Sequence, residues 1–123
     1  MLQPEGRFVD ANGIRMHYLD WGGDGPVCVM VHGAGMSGGT WEPIVRRLEV
    51  RLHCIAPDLR SHGDTEASAM PVSWELLARD VAGFVRALDL QRVVVVAHSF
   101  GALQHHLSLA NSQELVSPRK WTC

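Results

Sequence analysis

No stretch of this sequence is long and apolar enough to cross a membrane. Unbroken apolar runs such as Val93-Val94-Val95-Val96-Ala97 fall far short of the roughly 18 residues that a spanning helix needs. The opening Met1-Leu2-Gln3-Pro4-Glu5-Gly6 lacks the basic-then-apolar pattern of a secretory leader. Net charge is small, −2, and there is no basic patch, which argues against nucleic-acid binding as the main task. Cysteine is scarce. Cys28, Cys54 and Cys123 show no metal-ligand spacing, and two of them fall inside apolar runs, so they are expected to be small buried hydrophobes. Internal repeats and low-complexity tracts are also missing. What remains, 46% hydrophobic and 20% charged residues, is ordinary globular composition for one domain. A soluble, cytoplasmic protein without a membrane or nucleic-acid partner is the expectation.

Buried strands alternate with helical patterns. Phe8 to Asp10 and Ile14 to Asp20 read as two strands joined by Ala11-Asn12-Gly13, and Asn-Gly is a strong hairpin signal. Val27 to Val31, Leu52 to Ala56 and Val93 to Ala97 are continuous apolar runs, as expected for strands covered on both faces. Between them, Thr40 is a plausible cap for a helix over Trp41 to Leu48. Ser73 caps a longer helix in which Trp74, Leu77, Val81, Phe84, Val85 and Leu88 recur at helical spacing. A third helix is expected from Phe100 to about Ala110. This order predicts an α/β fold whose sheet is mainly parallel, with an antiparallel hairpin at its amino-terminal side.

Two motifs compete for the chemistry. Gly33-Ala34-Gly35-Met36-Ser37-Gly38 matches G-x-G-x-x-G after a strand, with Asp58 following 20 residues beyond Gly38, the ingredients of a dinucleotide-binding turn. Such a turn needs its helix to begin within the glycines. Pro43 would then lie in the helix interior, where it costs about 3 kcal/mol. Dinucleotide binding is therefore the weaker alternative.

The second motif is Ala97-His98-Ser99-Phe100-Gly101, directly after a buried strand and before a helix. Ser99 would sit on a tight strand-to-helix turn, a nucleophile elbow, with Ala97 and Gly101 small because the backbone crowds its neighbours there. A serine that attacks a carbonyl needs donors aimed at the developing oxyanion. One would be the backbone N–H of Phe100. The second would be that of Ala34, in the loop His32-Gly33-Ala34-Gly35 after the third strand.

These segments, with Asn12 to Tyr18 and Ala56-Pro57-Asp58-Leu59-Arg60-Ser61-His62-Gly63-Asp64-Thr65, resemble the amino-terminal half of the α/β-hydrolase superfamily, in its serine esterase-like branch. The resemblance covers most of residues 7 to 116. It implies a truncated α/β-hydrolase domain over 1–116 and a divergent tail over 117–123, where Pro118, Arg119 and Lys120 replace the apolar strand expected next. It also implies cofactor-free hydrolysis of a carboxylic ester or related small acyl substrate through an acyl-serine. Asp58 to Gly63 becomes a structural loop, and His62 a hydrogen-bonding loop residue rather than a base. Serine in place of aspartate at the elbow counts against the superfamily's epoxide-hydrolase and haloalkane-dehalogenase branches.

The family's triad continues downstream with an acid and then a histidine. Among residues 100–123 the sole acid is Glu114 and the histidines are His105 and His106. On the helix expected there, the histidines would lie about 9–10 Å along the axis from Ser99, beyond a general base's reach. The chain alone is thus expected to be inactive. A non-catalytic role, binding a partner or a second copy through an exposed strand edge, is the alternative.

Overall fold

A computed structural model describes residues 3–48, 51–69 and 71–98. In chain order the elements are β1 (Glu5–Ala11), β2 (Ile14–Gly22), β3 (Val27–Val31), a 3₁₀ turn (Gly38–Trp41), α1 (Glu42–Arg46), β4 (His53–Pro57), α2 (Trp74–Ala87) and β5 (Val93–Ala97). The expected helix after Phe100 and the tail 117–123 lie outside the described residues.

The five strands form one mixed sheet in the order β1-β2-β4-β3-β5. β1 and β2 pair antiparallel across Asn12 and Gly13, whose φ values of 49° and 82° are the two positive angles a type I′ hairpin turn requires. β2 runs antiparallel to β4, and β3 is parallel to both β4 and β5. Among the described residues β5 pairs with β3 alone. No helix among them is long and apolar enough to cross a membrane.

Period-two alternation sends β3 side chains into two cores. Val29 and Val31 join Met16, Tyr18, Ile55 and Val95 beneath α2, where Tyr18 meets Phe84 edge-on at 5.1 Å. Cys28 and Met30 face the other way, with Trp21, Trp41, Cys54 and Ala56. Cys28 and Cys54 are register partners and buried, as the sequence predicts. The facing Cys54 thiol and burial both push the Cys28 thiol upward, so it stays protonated and apolar in character.

The structure corrects one helix reading and bears out another. Thr40 caps nothing; it sits inside the 3₁₀ turn, and α1 is five residues long with Pro43 in its first turn. Trp21 fixes α1 instead, its indole N–H donating to the Glu42 carboxylate at 3.1 Å. Ser73 does cap α2, its Oγ accepting the Leu76 N–H at 3.1 Å. Replacing Ser73 by alanine is expected to cost about 1 kcal/mol, read as a lower urea midpoint.

Candidate active site

The carboxyl ends of β3 and β5 lie side by side. Val31 is in register with Ala97, and the His98 N–H donates to the Val31 carbonyl at 3.0 Å. Ala97 is fully buried at the end of its strand. His98 is the last described residue before the predicted elbow; Ser99, Phe100 and Gly101 lie outside the described residues. Gly33 permits this approach, because a Cβ there would come within 3.0 Å of His98 Nδ1 and 3.5 Å of the His98 carbonyl oxygen.

The loop after β3 is a tight turn. The Met36 N–H donates to the Gly33 carbonyl at 3.1 Å, and Gly35, third of the four residues, has φ +79°. That pairing is the signature of a type II turn, which calls for glycine at this position. The turn presents Ala34 at the surface. Among the described residues the Ala34 N–H has no hydrogen-bond acceptor.

His32 anchors the base of the turn and is fully buried. Its Nδ1–H donates to the Gly33 carbonyl at 2.7 Å and its Nε2 accepts the Leu59 N–H at 2.9 Å. One nitrogen donates and the other accepts, so the ring is neutral. Burial holds its pKa below the ordinary 6.5. The unfolded chain then takes up a proton at higher pH than the folded one. His32 therefore contributes stability that is intact above pH 6.5 and lost as the pH falls below it, through the folded-state value. Urea midpoints at pH 7.5 and pH 5.5 should differ more for the wild type than for His32→Asn. An equal drop in both would contradict this.

The loop after β4 supports the turn from beneath. Asp58 is buried; its Oδ1 accepts the Gly38 N–H at 2.7 Å, and its Oδ2 accepts the Asp64 N–H and the His17 Nδ1–H, both at 2.9 Å. Gly38 cannot carry a side chain, since a Cβ would meet the Ala56 carbonyl oxygen at 2.5 Å. This corrects the dinucleotide reading. The carboxylate that would hold a ribose is spent on the backbone, and α1 begins four residues after the last glycine of the motif. The ligand atoms of His17, Asp58 and Asp64 do gather within 4.8 Å. The Asp58 oxygens are already engaged by N–H groups, so the cluster reads as a hydrogen-bonded hub rather than a metal centre.

His62 is a hydrogen-bonding loop residue, as the sequence predicts, and it reaches the turn after β3. Its Nε2 accepts the Gly35 N–H at 3.0 Å, and its Nδ1–H donates to the Arg60 carbonyl at 2.9 Å. Beside it lies a recess of about 380 Å³ lined by Ala34, His62, Val72, Ser73, Trp74 and Leu77. Trp74, expected in the core stripe of α2, is 40% exposed at the rim of this recess, and Met36 is exposed nearby in sequence to Ala34. Trp41 is buried in the opposite core. Val72 carries no sequence signal for this role, because it precedes the helix.

Comparisons with known proteins agree with this architecture. The sequence pattern of the Alpha/beta hydrolase family matches residues 28–117. The chain is 36% identical over 106 residues to Epoxide hydrolase 3 of Siraitia grosvenorii, covering 84% of this chain and 33% of that protein. It is 37% identical over 97 residues to Protein phosphatase methylesterase 1 of Rattus norvegicus, covering 73% of this chain and 25% of that protein. Among solved structures it is similar to an epoxide hydrolase of Vigna radiata, with a TM-score of 0.78 at 32% identity, covering 89% of this chain and 37% of that one. The chain thus spans a third or less of the length of these curated relatives. With a family pattern matching most of its length and this strand order, the chain belongs to the alpha/beta hydrolase family.

Proposed function

We propose that this segment carries the nucleophile and oxyanion loop of a serine hydrolase acting on carboxylic esters or related acyl bonds. The observation that carries the reading is the surface-presented Ala34 amide beside the carboxyl end of β5, which leads in sequence directly to Ser99. Open α/β sheets bind ligands at this end of their strands. Ser99 Oγ would attack the acyl carbon, its proton passing to a base. The Ala34 and Phe100 N–H groups would hold the oxyanion. The alkoxide would leave with a proton, and water would then cleave the acyl-serine.

The relatives named above include both epoxide hydrolases and a methylesterase. Serine at the elbow favours acyl transfer over epoxide opening, for which the family resemblance implies aspartate. No cofactor is called for. The acid and histidine of the triad would come from sequence downstream of this segment, because residues 100–123 offer only Glu114, His105 and His106. A fluorophosphonate probe is the test. Joined to the downstream region its relatives possess, the segment should be labelled at Ser99 and should turn over small esters but not epoxides. The 123-residue chain alone should label slowly, since serine without its base keeps only the help of the oxyanion hole and binding. Epoxide opening that survives Ser99→Ala would overturn the reading.

A second reading is favoured by β5, which pairs on one side only among the described residues. The edge left unpaired among the described residues would accept a strand from a partner or from a second copy. A stoichiometric complex unaffected by Ser99→Ala would support that reading.

A further inference from the structure

We propose that His62 is a positioning residue that fixes the orientation of the turn bearing Ala34. The turn Gly33–Met36 is closed by one backbone hydrogen bond, and its central peptide, between Ala34 and Gly35, belongs to two exposed residues. Such a peptide can flip. Rotation would exchange the Gly35 N–H with the Ala34 carbonyl and convert the type II turn to type I, whose third residue has negative φ. In the structure Gly35 sits at φ +79° with its N–H pointing to His62 Nε2 at 3.0 Å. A flipped peptide would instead turn the Ala34 carbonyl oxygen toward that nitrogen, an acceptor against an acceptor.

The imidazole can discriminate in this way only if its tautomer and position are fixed, and both are. Its Nδ1–H is committed to the Arg60 carbonyl at 2.9 Å, which leaves Nε2 as an acceptor. Arg60 is itself immobilised, buried against Asp80 through two bonds of 2.9 Å each. The His62 ring also packs 5.0 Å from that of His32, the residue gripping the base of the same turn. Two histidines thus hold the turn, His32 at its first carbonyl and His62 at its central amide. Ala34 and His62 both line the recess, so a flipped peptide would turn the Ala34 carbonyl oxygen toward it, an acceptor beside the developing oxyanion, while the Ala34 N–H, which belongs to the preceding peptide, would stay in place.

The first test is independent of catalysis. In the ¹⁵N-labelled chain, a through-hydrogen-bond coupling between the Gly35 amide nitrogen and His62 Nε2 should be observed. His62→Ala should shift or split the Ala34 and Gly35 amide signals, and His62→Gln, whose side-chain oxygen can accept the same N–H, should restore them. No coupling in the wild type, or Ala34 and Gly35 signals unmoved in His62→Ala, would overturn the proposal. Should His62→Ala fail to fold, the wild-type coupling and the His62→Gln spectrum still decide it.

The kinetic consequence rests on the serine-hydrolase reading, which Ser99 labelling checks separately. In the protein extended by its downstream region, His62→Ala should lower kcat for ester hydrolysis on the order of tenfold to a hundredfold with KM little changed. His62→Gln should recover most of that loss. An unchanged kcat in a His62→Ala protein that still labels at Ser99 would reject His62 as a positioning residue while leaving the nucleophile assignment intact.

Discussion

Ser99→Ala should lower kcat for ester hydrolysis on the order of 10⁴–10⁶-fold in a protein carrying this segment and its downstream complement, with KM little affected. The size of the effect follows from the division of labour at the site. On the proposed mechanism, removing Ser99 would eliminate the covalent route, whereas the proposed oxyanion donors and the recess would persist and keep a small residual rate over water. The Ala34 N–H depends on backbone conformation rather than on any side chain of the elbow, so the turn at Gly33–Met36 should survive the substitution. The measurement is steady-state kinetics on a small ester, with the Ala34 and Gly35 amide signals as the structural control. A loss of less than about tenfold would mean that another group performs the attack.

Asp80→Ala is expected to cost about 3–5 kcal/mol of stability, because it strands the buried Arg60 guanidinium without its counter-ion. Both residues are buried, Asp80 completely. Its carboxylate takes Arg60 in a fork, Nε to Oδ2 and a terminal nitrogen to Oδ1, both at 2.9 Å. Oδ1 also accepts the side-chain N–H of Asn12 at 2.7 Å. The pair joins α2, the loop after β4 and the β1–β2 turn at one point. The Asp80 carboxylate holds the Arg60 guanidinium above its ordinary range, in keeping with a charge that needs its partner. Replacing both residues with apolar ones of similar volume should cost much less, since no charge is then left buried. Urea unfolding of the single and double variants separates these cases. A single variant within about 1 kcal/mol of wild type would show that Arg60 escapes to solvent instead.

Local chemistry made much of the fold legible. Asn12-Gly13 announces its turn because few other residues accept two consecutive positive φ angles, and Ser73 announces α2 because its hydroxyl caps an orphan N–H. The apolar runs of β3, β4 and β5 mark strands covered on both faces, and β4 begins one residue later than its apolar run suggests. Thr40 misleads because the chain enters α1 through a 3₁₀ turn, and the position a cap would occupy falls within it. Trp74 misleads because periodicity says which face a residue occupies but not whether that face is covered at the helix's first turn.

The site divides in the same way. His32-Gly33-Ala34-Gly35 is legible because strand, glycine and turn are contiguous. The grips of Asp58 on Gly38 and of His62 on Gly35 join residues 20 and 27 apart in sequence, and no local pattern encodes them. Sequence identifies His62 as a loop residue; only the fold shows which amide it holds.

On the proposed mechanism Ser99 forms a covalent acyl intermediate. Acid quenching during turnover of a small ester, in a protein carrying this segment with its downstream region, followed by peptide mass spectrometry, would trap that intermediate. The acyl mass is expected on the peptide from Val93 to Arg119, localised by fragmentation to Ser99 and absent from Ser99→Ala. Acyl mass on another residue, or full turnover in Ser99→Ala, would contradict the mechanism.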